Sequence, residues 1–336
     1  MNNSVITNIC KHYGVEVELI GDVIDSSHEE ADIRYNYVIN KEYVLKMNTS
    51  NAISEVYLQG VKRLVARYRD ISVWCPDLIP NKNGDLLTII EHDGRVYNCY
   101  IEEFAPYDFS QDDETLYEYK KEVLAHVGKF AAKYSEIDLV PIYSMWSIID
   151  LSPFDQTVDE KQENLDLLAE NLNKHGYFKM AKLLIDTNKE ARNNINKVFS
   201  KLPRCVYQGD LNPSNILVDK DKHFIGIIDF NMYGTEVNIN CFLNECMYYL
   251  SEEDFEQLAA NEIANKMNLV QNELLQTILE SYELNKLEEK IINDYKRIID
   301  ISFYPNVMLW LKLLDDNKHT EKVITLIKKL MLQTED

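Results

Sequence analysis

Between Val206 and Phe230 two short apolar runs, Asn215–Val218 and Phe224–Phe230, surround the polar turn Asp219–Lys222. Runs of this kind around a turn are β-hairpin signals, yet the chain on either side reads as helix. The ends of this isolated hairpin carry acids. Gln208-Gly209-Asp210-Leu211-Asn212-Pro213-Ser214-Asn215 leads into it, and Ile228-Asp229-Phe230 closes it. A short polar loop thus offers Asp210 and Asn215, and a returning strand presents Asp229. Three oxygen-bearing side chains are expected at one end of a hairpin, a donor set that suits a hard cation such as magnesium.

The first hundred residues read as a small antiparallel sheet carrying one helix. Ile33–Ile39 and Tyr43–Met47 flank Asn40-Lys41, a hairpin pattern, and Leu86–Glu91 and Val96–Phe104 are joined through His92-Asp93-Gly94-Arg95. Asp-Gly between apolar runs marks a tight turn because glycine accepts positive φ. Ala52–Tyr68 has helical spacing. From Thr115 onward helical periodicity dominates, with helices predicted around Gln162–Leu172, Tyr177–Ile185, Asp254–Met267, Asn272–Leu284, Lys286–Ile301 and Glu321–Leu332. Pro305 is expected to break or kink the run into Met308–Leu314. The change of period and Pro106 divide the chain into an N-terminal lobe, residues 1–104, and a C-terminal lobe, residues 105–336.

Composition narrows the classes. The 336 residues allow two lobes. A net charge of -21 disfavours binding to phosphate backbones, so no nucleic-acid partner is expected. No stretch approaches the ~20 apolar residues of a membrane span, and the start shows no secretory pattern. The six cysteines form no Cys-x-x-Cys pair and read as reduced thiols, which points to the cytoplasm. No His/Cys cluster has zinc-ligand spacing.

Gly-Asp or Asp-Phe alone is an ordinary turn dipeptide. The joint pattern, Gly-Asp-Leu-x-x-x-Asn-Ile-Leu followed by Gly-x-Ile-Asp-Phe, is far more specific, and it resembles that of the aminoglycoside phosphotransferase and choline-kinase-like enzymes. The resemblance implies an α+β, two-lobed protein-kinase-like fold with a small antiparallel-sheet N-lobe and a larger, mainly helical C-lobe. It implies an ATP- and magnesium-dependent phosphotransferase acting on a small-molecule hydroxyl. Asp210 matches the catalytic aspartate, and Asn215 and Asp229 match the metal ligands. Lys46, in Tyr43-Val44-Leu45-Lys46, is similar to the phosphate-binding lysine. A kinase lysine needs a carboxylate to hold its ammonium, and Glu55 on the following helix is the candidate; Glu16, Glu18 and Glu42 are the bland alternatives. Glu103, Phe104 and Ala105 match the hinge whose backbone reads adenine. With no glycine between Gly21 and Gly60, Ser26 and Ser27 are the candidates for phosphate contact through backbone N–H groups.

Two departures from the family stand out. Gln208 replaces the histidine before Gly-Asp, and Gly234-Thr235-Glu236 replaces a Gly-Asp that braces the catalytic loop. Residues 101–336 carry 25 basic and 42 acidic residues, so a cationic acceptor is electrostatically compatible. The expected acceptors are aminoglycoside-like first, then choline, ethanolamine or homoserine, with no membrane partner. A catalytically weak kinase-fold binding or structural protein, as in spore coats, is the second reading. A protein kinase is disfavoured, since Arg-Asp and an activation-segment signature are missing.

Overall fold

The computed structural model describes residues 1–27, 32–110, 116–137, 139, 144–152, 155 and 157–332, with side chains at 116–118 left aside. In chain order the elements of the first part are α1 (Asn3–His12), β1 (Ile20–Asp25), β2 (Arg34–Ile39), β3 (Tyr43–Asn48), α2 (Glu55–Arg69), β4 (Leu78–Ile79), β5 (Thr88–His92), β6 (Arg95–Glu103) and β7 (Asp108–Phe109). Next come α3 (Leu116–Tyr134), α4 (Glu160–Lys174), α5 (Phe178–Asn196), β8 (Arg204–Tyr207), β9 (Ile216–Val218), β10 (Phe224–Ile227) and β11 (Gly234–Val237). The chain ends with α6 (Asn238–Glu245), α7 (Glu252–Gln257), α8 (Ala260–Leu279), α9 (Lys286–Ser302), α10 (Tyr304–Asp315) and α11 (Thr320–Leu332).

These elements form two compact units, Met1–Asp113 with Asn212–Phe230, and Glu114–Leu211 with Asn231–Asp336. The hairpin expected to sit in the C-terminal lobe therefore packs with the first unit. The reason is backbone pairing: β9 joins β7, and Trp74 bridges Gly226 through Trp74 N–H to Ile225 O and Ile227 N–H to Trp74 O, both 2.9 Å. The approach is so close that a Cβ on Gly226 would lie 2.2 Å from the Trp74 carbonyl oxygen, which only glycine permits.

In the first unit an antiparallel sheet runs β1-β2-β3-β6-β4, with β5 also on β6. Both expected hairpins form. Asn40 and Lys41 take φ of 56° and 58° in a three-residue connection between Ile39 and Tyr43, and Asp93 and Gly94 take 51° and 72° in a two-residue turn between His92 and Arg95, positive-φ pairs that match strand twist. Helix α1, not anticipated from the sequence, buries Ile6, Ile9 and Cys10 against Ile39, Leu45, Met47 and Ile101 of the sheet. Its signal is short: an Asn2 cap, whose side chain accepts the Val5 N–H, followed by three apolar positions. Helix α2 starts at the Ser54 cap and buries Leu58, Val61, Leu64 and Val65.

The second unit is mainly helical, around a core that includes Leu168, Leu184, Phe255, Tyr295, Ile298 and Trp310. One antiparallel pair, β8 with β11, interrupts it and delivers the chain from Tyr207 into the Asp210 loop. The two helices expected over 254–267 and 272–284 are divided differently. A break falls at Leu258–Ala259, both extended: α7, opened by a Ser251/Asp254 capping box, stops at Gln257, and Glu262 accepts the Ala259 N–H to start a continuous α8. Pro305 acts as expected: Phe303 is extended and α10 begins with the proline in its first turn.

Candidate active site

Strand pairing in the first unit sets the position of Lys46. On β3 it faces Tyr100 of β6 in register, and alternation puts Glu102 on the same face. Lys46 Nζ lies 3.0 Å from Glu102 Oε1, both side chains being largely buried, and 5.9 Å from the centre of the Tyr100 ring. Burial alone would push the lysine pKa down; the charges of Glu102, Tyr100 and Asp229 outweigh it and hold the ammonium well above its ordinary range. Burial likewise raises the Glu102 carboxyl, and Lys46 offsets part of that rise.

The expected partner, Glu55, is engaged elsewhere, which corrects the sequence reading. From the first turn of α2 its carboxylate accepts the N–H groups of Leu86 and Leu87, each at 2.9 Å, and the Gln59 amide at 2.8 Å. Burial acts to raise its pKa, and these hydrogen bonds overcome it and lower the value. Glu55 therefore pins the segment ahead of β5, and the lysine clamp is a strand residue that sequence proximity to the helix did not suggest.

The metal-type donors lie at the paired end of the hairpin. Asn215, itself buried, ends a 3₁₀ turn over Pro213–Asn215 that Asn212 caps. Beyond the last ladder pair, Ile216 with Ile227, the Ile228 N–H donates to the Asn215 carbonyl at 2.9 Å. Asp229 follows with φ of 57°, a left-handed conformation that its short side chain tolerates better than most. Phe230 then packs its ring on Tyr68 at 6.0 Å and accepts the Tyr57 hydroxyl at 3.0 Å, both from α2. Asp229 is thus held from both sides in a strained backbone, a pattern found at functional sites.

The hinge and serine-turn expectations are narrowed. Glu103 N–H donates to Asp77 O at 3.0 Å and Phe104 N–H to Glu42 O at 2.8 Å, while the Glu103 carboxylate takes Arg69 and the Asp77 N–H. Among the described residues the Ala105 N–H has no such partner. Ser26 N–H donates to Arg34 O at 3.0 Å, and Ser27 N–H and hydroxyl both donate to Asp25. Both backbone donors assigned to phosphate are therefore already engaged, Ser27 in an Asx turn with Asp25 and Ser26 across to Arg34.

Asp210 belongs to the second unit. Gln208, fully buried, accepts the Asp210 N–H on Oε1 at 2.6 Å, so the glutamine braces this loop through its side-chain amide. At the end of α6 Glu245 is half-buried; burial drives its pKa up to about 7, Lys120 acts against this and the Asp210 charge adds to it. Tyr249 is exposed, and the charges of Glu245 and Asp210 push its hydroxyl up. An acid and an aromatic ring that both feel the Asp210 charge are features the helical periodicity had concealed. Among the described residues no cluster of three or more His, Cys, Asp or Glu has metal-binding geometry.

The model of the phosphotransferase enzyme family, APH, matches residues 111–236. The chain resembles that family. The matched segment contains Asp210, Asn215 and Asp229. Solved structures agree in fold over the whole length. One is an amicoumacin kinase, hAmiN, in complex with AMP-PNP, Ca2+ and Ami, with TM-score 0.55 and 13% identity over 99% of this chain and 94% of that one. A microcompartment-associated aminopropanol kinase has TM-score 0.52 and 12% identity over 98% and 95%. A spectinomycin phosphotransferase in complex with ADP and spectinomycin has TM-score 0.50 and 14% identity over 98% and 94%. No curated protein sequence matches. The fold is that of the protein-kinase-like small-molecule phosphotransferases. Among the described residues no helix is long and apolar enough to cross a membrane.

Proposed function

We propose that the protein is an ATP-dependent phosphotransferase that phosphorylates a hydroxyl of a small, amine-bearing molecule in the cytoplasm. The observation that carries this reading is the electrostatic grouping of Lys46, Glu102 and Asp229 in the first unit, with Asn215 tied to the strand that leads into Asp229. A lysine whose ammonium is held charged suits the α- and β-phosphates of a nucleotide. Asp229 and Asn215 would hold magnesium: two hard oxygen donors leave room for the waters and phosphate oxygens that ion prefers. When bound, the ion neutralises charge on the triphosphate. The Ala105 N–H is the donor proposed to read the adenine edge.

In the second unit Asp210 is proposed to orient the acceptor hydroxyl and take its proton as the oxygen bonds to the γ-phosphorus and the bond to ADP breaks. The aminoglycoside-type and amino-alcohol acceptors named for the fold relatives carry amines. Glu245 and the Tyr249 ring, both within electrostatic reach of Asp210, support an ammonium-bearing acceptor that would share this region with Lys120, whose ammonium stands 5.5 Å from the Tyr249 ring. The hydrogen bond from the Asp210 N–H to Gln208 supports a working kinase over a catalytically weak relative, because the loop is braced without histidine.

The test is a panel of aminoglycosides and amino alcohols, including choline, ethanolamine and homoserine, incubated with ATP and magnesium and read by mass spectrometry for gain of a phosphoryl group. Transfer to at least one amine-bearing acceptor is expected. Binding of ATP without transfer to any member overturns the reading.

A further inference from the structure

The loop that carries Asp210 is secured at a single peptide plane. Its N–H side, the Asp210 amide, donates to Gln208 Oε1 at 2.6 Å. Its C=O side, the Gly209 carbonyl, accepts the indole Nε1–H of Trp146 at 2.5 Å. Gly209 has φ of 87°, and a Cβ there would lie 2.1 Å from the Met232 carbonyl oxygen, so the chain is also pressed against its neighbour. A peptide plane tethered on both edges has little freedom to rotate, and that rotation is what would redirect the side chain of Asp210.

Trp146 is itself held through its backbone and one ring face. Its N–H donates to Ser144 Oγ at 3.2 Å, and its carbonyl accepts the amide of Asn240, a fully buried residue of α6, at 2.8 Å. One face of the indole lies under Lys161, whose ammonium stands 5.6 Å from the Trp146 ring and 5.8 Å from the Phe303 ring. Lys161 is 2% exposed and pairs with Glu160 at 2.9 Å. A buried lysine stacked between two rings is costly unless the rings are held in place, and here it pins the indole that reaches Gly209.

We infer that Trp146 is a positioning residue for phosphoryl transfer: its indole N–H, together with Gln208, sets the Gly209–Asp210 peptide and so the aim of Asp210. The inference rests on the phosphotransferase reading for its kinetic part only. Trp146→Phe keeps most of the packing and deletes the donor. The protein contains its own control. Trp310 is fully buried in the helical core, and its Nε1 has no partner among the described residues, so Trp310→Phe removes an N–H that holds nothing.

Both variants are compared with the wild type by amide hydrogen exchange over residues 205–212 and by kinetics with the acceptor found in the panel. Trp146→Phe is expected to speed exchange in this loop and to lower kcat roughly tenfold to a hundredfold, the scale of a small misplacement of a catalytic group. The KM and Kd for ATP are expected to stay within about twofold, a range worth under half a kcal/mol. Trp310→Phe should leave loop exchange and kcat unchanged. Unaltered loop exchange in Trp146→Phe overturns the inference, as does an equal loss of kcat in both variants. If the wild type transfers to no acceptor, the phosphotransferase reading fails, and loop exchange alone then decides whether Trp146 holds the loop. Should Trp146→Phe not fold, the wild-type indole protons are followed by NMR. Slow solvent exchange of the half-buried Trp146 proton supports the bond, and rapid exchange overturns it.

Discussion

The two units hold their reactive groups by different forces. In the first, charge dominates: Lys46 pairs with Glu102 at a distance that the register of β3 and β6 sets, and the Asp229 charge adds to the field that keeps the lysine charged. In the second, Asp210 sits on a peptide positioned by neutral donors and acceptors, Trp146 and Gln208. Ion pairs tolerate angular error and respond to the charge of their neighbours. Hydrogen bonds are directional and largely indifferent to pH until a partner titrates. A group that must bind a highly charged nucleotide gains from the first arrangement, and a group that must aim at one hydroxyl gains from the second.

The largest expected effect breaks the directional side outright. Asp210→Ala should abolish phosphoryl transfer while leaving ATP binding, measured by calorimetry, within about twofold. Unchanged turnover would remove Asp210 from the mechanism. The electrostatic side is broken next by Glu102→Gln, which leaves Lys46 without its counter-charge. Loss of one member of a largely buried pair is expected to weaken ATP binding about tenfold, or ~1.4 kcal/mol. Glu55→Gln provides the contrast: nucleotide affinity unchanged, and stability lower by about 1 kcal/mol through weakened bonds to Leu86 and Leu87. A larger effect of Glu55 than of Glu102 on ATP affinity would reverse the assignment of the clamp.

Titration sharpens the comparison on the acceptor side. The Glu245 pKa is raised by burial to about 7, so the carboxyl is neutral below that pH and charged above it. Affinity for an amine-bearing acceptor should improve as pH rises through about 7, and Glu245→Gln should flatten that profile. The last expected effect is on stability alone and concerns Glu236. Burial lifts it to about 7, and its Oε2 has no partner among the described residues. Between the ordinary value of 4.5 and about 7 the folded protein keeps a proton that the unfolded chain has released. Stability therefore falls as pH rises through that window, the loss being complete above it. Glu236→Gln should raise stability at pH 8 by roughly 1–3 kcal/mol and change little at pH 5, as read by denaturant melts.

Features carried by neighbouring residues were legible from the sequence. Asn40-Lys41 and Asp93-Gly94 announced their hairpins because positive φ is a local steric matter. The Asp210–Asn215–Asp229 spacing announced the family pattern because a loop, a turn and a short hairpin are contiguous in the chain. Glu102 was not legible as the partner of Lys46, since it becomes a neighbour only when β3 and β6 pair. Trp146 was equally hidden, lying in an irregular segment with no periodicity, far along the chain from the carbonyl it holds. Thr115, where helical periodicity was expected to begin, lies outside the described residues.

By itself the sequence determined which chemical groups this protein has and which backbone turns present them, because turn sterics and motif spacing act over a few residues. Only the tertiary structure decided which carboxylate holds the lysine and which side chains hold the aspartate loop. Those choices depend on strand register and helix packing, where partners distant in sequence compete for the same few ångströms.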